Sequence, residues 1–235
     1  MSMPRALLFD LYDTLIWLDT DKSNRYRQQF ATRIGLSLEQ FLRHWRQSID
    51  HRMLGKGEGL PGHLATALSE MGIEPEPELI SDLVEIERER LEQCAHPYPS
   101  TFPVLNRLSA EGYTLGLLSN VSDGAAIPIT FLGIDKLFDR MVLSHEVGLL
   151  KPDPAIYRLA CEQLDVAPTE TVFVADGGFG ELDASYEMGI FSVMLEQDNQ
   201  SRDYGFSTRY HAKIHDLSEL ESLLSRLRDG DSTGG

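Results

Sequence analysis

Apolar residues along this chain fall into two patterns. Short, nearly continuous runs occur at Ala6–Phe9, Tyr113–Leu118, Met141–Leu143, Thr171–Ala175 and Phe191–Leu195. Runs without polar alternation read as strands buried on both faces, the mark of a parallel sheet covered by helices. Between them, apolar positions recur at helical spacing, as in Ala155-Ile156-Leu159-Ala160-Leu164 and Leu217-Leu220-Leu223-Leu224-Leu227. Strand alternating with helix predicts right-handed crossovers and an α/β fold with a doubly wound, Rossmann-like parallel sheet. In such folds ligands bind beyond the carboxyl ends of the strands.

Residues 18–96 break this alternation. Four helical patterns follow one another with no convincing strand between them. The second opens on Ser37 with Gln40 three residues on, a capping box ahead of Phe41, Leu42, Trp45 and Ile49. A glycine-rich run, 55–62, separates it from the third. The fourth carries Leu79, Leu83, Ile86 and Leu91, and its charges Glu85, Glu87, Arg88 and Glu89 read as a solvated face. The chain therefore divides into a discontinuous core, 1–17 with 97–235, and an all-helical cap, 18–96. Trp17 and Trp45 read as packing residues, and the polar stretch 229–235 as a frayed tail.

Composition narrows the partners. Of 235 residues, 42% are hydrophobic and 25% charged, enough to build a packed interior. Lys and Arg number 21 against 37 Asp and Glu, a net charge of −16 that disfavours nucleic acid and anionic lipid. No apolar run approaches the roughly 20 residues of a membrane span. The opening residues lack the apolar stretch of a signal peptide. Cys94 and Cys161 form no metal or redox spacing and read as two buried thiols. The expectation is a soluble cytoplasmic protein with neither nucleic-acid nor membrane partner.

Four polar segments stand at the ends of predicted strands. Asp10-Leu11-Tyr12-Asp13-Thr14 places a carboxylate where a buried strand emerges, fit for nucleophilic attack, metal binding or a plain turn. Ser119-Asn120 offers a hydroxyl and amides to an anion, or a simple helix cap. Lys151-Pro152-Asp153-Pro154 holds a lysine in extended backbone ahead of a helix. Asp176-Gly177-Gly178-Phe179-Gly180-Glu181 sets two acids across a glycine turn, able to converge on one hard cation.

In this order, the four segments and the helical insert resemble the haloacid dehalogenase superfamily of hydrolases over nearly the whole chain. The resemblance implies that Asp10 is the nucleophile and forms a covalent intermediate. It implies that Ser119, with Asn120 and Thr14 beside it, binds the substrate anion. Lys151 would neutralise charge on both nucleophile and transferring group. Asp176 would hold Mg²⁺, together with the Asp10 carboxylate and the Tyr12 carbonyl, and Glu181 would join directly or through water.

Two positions depart from the family's phosphatases. Tyr12 stands where a second Asp usually serves as general acid and base, a role worth about 10²–10⁴-fold in rate. Glu181 stands where a second Asp is common. Tyr12 is also similar to the dehalogenase branch, which displaces halide without a metal. The acidic fourth segment points the other way, because acids beside Asp10 would repel a haloacid's carboxylate unless a cation lay among them. The reading favoured is a Mg²⁺-dependent phosphatase of small monoesters. The alternatives are a 2-haloacid dehalogenase and a weakly active protein that binds a phosphorylated ligand or a partner. Arg25, Arg43, Arg46, His44, His51 and Lys56 are polar cap residues that could reach the substrate, though a solvated helix face is the plainer reading of each; His145 is read as an incidental loop residue.

Overall fold

The five apolar runs all become strands of one parallel sheet in the computed structural model, which describes residues 3–47, 49–56, 59–197 and 206–229, the side chains of residues 49 and 50 excepted. The strands are β1 (Ala6–Phe9), β4 (Thr114–Ser119), β5 (Arg140–Leu143), β6 (Thr171–Ala175) and β7 (Phe191–Leu195), joined by a short β8 (Ala212–Ile214). Their order is β5-β4-β1-β6-β7-β8, so the chain steps outward from β1 in one direction and then the other. The point of reversal lies at the carboxyl ends of β1, β4 and β6, where such sheets bind ligands. Ala6–Phe9 pairs residue for residue with Thr114–Leu117 on one side and Thr171–Val174 on the other.

The central strands β1, β4, β6 and β7 are buried on both faces, and the two faces feed separate apolar clusters. Leu7 and Phe9 join Leu105, Leu115 and Val174 on one side. Leu8 joins Ile156, Tyr157, Phe173 and Leu182 on the other. The covering helices include α6 (Thr101–Ala110), α7 (Ala126–Phe131), α8 (Ser144–Val147), α9 (Pro154–Gln163), α10 (Glu181–Glu187) and α11 (Leu220–Arg228). Gly116 lets the side chains of Leu8 in β1 and Leu164, which follows α9, close over β4; a Cβ there would lie 2.6 Å and 2.9 Å from them.

Between β1 and α6 run five helices: α1 (Thr20–Arg33), α2 (Leu38–Gln47), α3 (Ile49–Met53), α4 (Gly59–Glu70) and α5 (Pro77–Cys94). The Ser37–Gln40 capping box forms in both directions, at 2.9 and 3.2 Å. These helices bury their own cluster of Phe30, Phe41, Trp45, Leu64, Leu68 and Leu83. Trp17 is half-buried against the His96 ring. The Ile49 side chain, Gly57, Glu58 and the tail 230–235 lie outside the described residues.

Two expectations are corrected here. The segment is not free of strand: Ile16–Leu18 (β2) and Ala95–Pro97 (β3) pair antiparallel where the chain leaves and re-enters the core. Three-residue strands carry too little periodicity to be read from sequence. Glu87 is not on a solvated face either. It is 7% exposed and paired with the equally buried Arg90, at 2.6 and 2.7 Å. Glu85 and Arg88 do pair at the surface. Both thiols, Cys94 and Cys161, are buried and free. Among the described residues no helix is long and apolar enough to cross a membrane.

The helical segment meets the core at Gly55, which has φ +66° and packs against the backbone of His145. A Cβ there would sit 1.9 Å from the His145 carbonyl oxygen. Gly55→Ala combines this clash with a left-handed backbone and should cost about 1–3 kcal/mol, lowering the denaturant midpoint. An unchanged midpoint would show that this contact does not hold the two parts together.

Candidate functional site at the sheet edge

Parallel strands ending together deliver three loops to one point. β1 leads directly into Asp10, whose N–H continues the ladder to the Val174 carbonyl at 3.0 Å. β4 ends on Ser119, whose Oγ donates to Asp10 Oδ1 at 2.9 Å. β6 leads into Asp176, whose N–H donates to Thr14 Oγ1 at 3.1 Å. Thr14 and Asn120, expected beside the substrate anion, act here as loop clamps. Thr14 ties the first loop to the last, and its carbonyl takes the Nε2 of buried Gln197 at 3.0 Å. Asn120 grips the Lys151 backbone twice, donating to its carbonyl at 2.7 Å and accepting its N–H at 2.8 Å.

Lys151 thereby enters a wholly buried position. Its Nζ donates to Asp10 Oδ1 at 2.6 Å and to Glu181 Oε2 at 2.5 Å. Glu181 Oε1 accepts the Gly177 N–H at 3.2 Å, and Asp176 Oδ1 accepts the Gly178 N–H at 3.0 Å. Gly177 has φ +85°, and a Cβ on it would meet Met194 at 2.6 Å, so only glycine suits this turn. Asp13 likewise has φ +58°, a conformation that Asp tolerates better than most residues. Tyr157, absent from the sequence reading, supports the group from below, its hydroxyl donating to the Glu181 carbonyl at 2.8 Å.

Carboxylate oxygens of Asp10, Asp176 and Glu181 all lie within 4.8 Å of one another, and all three residues are buried. Three acids thus face one ammonium. Burial, reinforced by the charge of Asp10, raises the Asp176 pKa above the usual carboxylate range. Burial raises Glu181 well above it, against the pull of Lys151. Burial would lower Lys151, but Asp10 and Glu181 outweigh it and hold the ammonium firmly protonated.

Tyr12 is held in a low-dielectric setting that pushes its phenol up to about 12, burial being the main cause. It lines a cavity of about 160 Å³ with Trp45, Arg27, Arg52, Glu87, Arg90 and Asn120, among others. None of Arg25, Arg43, Arg46, His44, His51 and Lys56 lines it. All are exposed except half-buried His44. The arginines that do were missed, although Glu87 carried a signal. It falls four residues after Leu83 and four before Leu91, on the apolar stripe of α5.

A family model for haloacid dehalogenase-like hydrolases matches residues 4–184. The (S)-2-haloacid dehalogenase 1 of Pseudomonas sp. is 28% identical over 97% of this chain and 99% of its own. The glyceraldehyde 3-phosphate phosphatase of Methanopyrus kandleri is also 28% identical, over 83% of this chain and 85% of its own. In fold, the chain resembles a 2-haloacid dehalogenase from Pseudomonas syringae pv. tomato, with TM-score 0.73 and 23% identity over 96% of this chain and all of that one. Relatives at equal distance thus include both chemistries. With more than half its length matched, the chain belongs to the haloacid dehalogenase-like hydrolases.

Proposed function

We propose that this hydrolase removes the phosphoryl group from a small phosphate monoester, with Asp10 as nucleophile and Mg²⁺ as cofactor. The observation that carries the reading is the convergence of Asp10, Asp176 and Glu181 on one buried point with a single lysine among them. Two uncompensated carboxylates in a buried site are costly unless protonated or matched by cations. Their oxygens are hard donors, the set that suits Mg²⁺. Asp10 and Asp176, with the Tyr12 carbonyl, would hold the ion, and Glu181 would contribute beside them. When bound, it supplies charge neutralisation of the phosphoryl oxygens.

The chain's own residues supply the rest. Ser119 and Lys151 both hold Asp10 Oδ1, which fixes the rotation of the carboxylate and presents its other oxygen for attack. Attack on phosphorus forms an aspartyl phosphate as the ester oxygen leaves, and water then releases inorganic phosphate and restores Asp10. Lys151 stays protonated throughout and stabilises charge developing on the transferring group. The helical segment would act as a cap that shields the intermediate from bulk water. Tyr12 supports a second reading, halide displacement from a 2-haloacid, because a phenol at about 12 cannot serve as a base near neutral pH. The paired acids Asp176 and Glu181 favour the first.

Four outcomes test this. Asp10→Asn should abolish turnover of an aryl phosphate while leaving the fold intact by circular dichroism; activity above a few per cent would remove Asp10 from the nucleophile's role. Mg²⁺ at a hundred times its dissociation constant should stabilise the metal-free protein by about 2.7 kcal/mol, a melting rise of roughly 5–10 °C for a chain this size. Asp176→Asn should melt higher than metal-free wild type and lose the response to Mg²⁺. An equal response in both would deny Asp176 a place in the site. Tyr12→Asp should raise kcat/KM on an alkyl phosphate, up to ~10²-fold, far more than on a nitrophenyl phosphate, whose leaving group departs without a proton. Equal change on both would show that position 12 does not serve the leaving group.

A further inference from the structure

The cavity beside Tyr12 has a charge of the opposite sign to the acid cluster. Its charged lining consists of Arg27, Arg52, Arg90 and Glu87. Glu87 is matched by Arg90, which gives it two hydrogen bonds and a third to Ser23 Oγ at 3.0 Å. Arg27 and Arg52 then remain as two positive charges, with no ion pair for either among the described residues. Arg52 is 9% exposed, and its guanidinium lies 3.8 Å above the Trp45 ring, fixed by a hydrogen bond from Nη2 to the Trp45 carbonyl at 3.1 Å. Its Nε is buried and has no hydrogen-bond partner among the described residues. Burial holds the Arg52 pKa down to about 10, and that of Arg27 is lowered by burial and by Arg90, yet both stay charged at neutral pH.

A buried, unpaired guanidinium donor is costly to fold around and is relieved by an incoming acceptor. Guanidinium donors match the planar oxygens of a carboxylate. The cavity, about 160 Å³, has room for a carboxylate group on a short carbon chain. Tyr12, two residues after Asp10, and Asn120, which follows Ser119 and holds the Lys151 backbone, line the same cavity.

We propose that Arg27 and Arg52 form a carboxylate pocket, and that the substrate is the phosphate monoester of a short hydroxy acid. Its phosphoryl group faces Asp10 and its carboxylate faces the arginines. The phosphorylated half of this statement rests on the phosphatase reading above; the carboxylate pocket does not.

The test uses the full chain with Mg²⁺ and a matched pair of substrates, the phosphate monoester of lactate and its carboxyl methyl ester. Wild type should prefer the acid by roughly 10–100-fold in kcat/KM, as expected for one charged hydrogen-bonded contact. Arg52→Met and Arg27→Gln should each bring that preference close to one, chiefly through KM, and Arg52→Lys should keep part of it. Calorimetry with lactate alone should show binding to wild type that weakens at least tenfold in both neutral variants. Equal use of acid and ester by wild type, with no lactate binding, overturns the pocket and leaves the phosphatase reading standing. Lactate binding that depends on the arginines, without turnover of any phosphate ester, supports the pocket and removes the phosphatase reading.

Discussion

Three carboxylates and one ammonium share the buried edge of the sheet, and the electrostatic demand of that group shapes the surrounding structure. Lys151 cannot satisfy Asp10, Asp176 and Glu181 together, so it bridges two of them and the backbone N–H groups of Gly177 and Gly178 take part of the remainder. Every nearby device serves to hold this arrangement against its own repulsion. Thr14 locks the Asp176 loop, Asn120 locks the Lys151 backbone, and Tyr157 pins the start of α10. Breaking one buried partner of such a group costs about 3–5 kcal/mol, because it strands the charge left behind. A group held at that expense, with raised carboxyl pKa values, has the marks of a functional site rather than of a stabilising one.

The helical segment supplies the complementary pole. Its Glu87–Arg90 pair is internally balanced, and Arg27 and Arg52 add net positive charge opposite the acids. An anionic group of a substrate would be drawn to that positive pole before any chemistry occurs. Preorganised charge of this kind acts in a water-poor space, where it is worth more than at the surface. Tyr12 lies at the junction. Its neutral ring adds no fourth acid to the cluster, which accounts physically for a residue that the acid–base logic of phosphatases leaves unexplained.

Most of the sheet was legible in the sequence because parallel strands buried on both faces write themselves as apolar runs. Thr171–Ala175 and Phe191–Leu195 are bounded as read, and the capping box at Ser37 forms as its spacing implies. The gathering of Asp10, Ser119, Lys151, Asp176 and Glu181 was implied by the family resemblance of the four segments taken together, each of them weak alone. What escaped had no periodic signature. The β2–β3 ribbon is three residues per strand, and Tyr157 sits among ordinary apolar positions of α9. Buried arginines look like surface arginines until packing is known, since a long side chain can bury its stem from many helix positions. Glu87 was the exception, readable from its place between Leu83 and Leu91.

The charge surplus at the sheet edge is tested most directly by titrating the metal-free protein and its Glu181→Gln variant with Mg²⁺ in a calorimeter, near neutral pH. If the surplus is a metal site, one ion binds per chain and the variant binds it about tenfold more weakly. No binding at millimolar Mg²⁺, or equal binding by both proteins, would contradict the account.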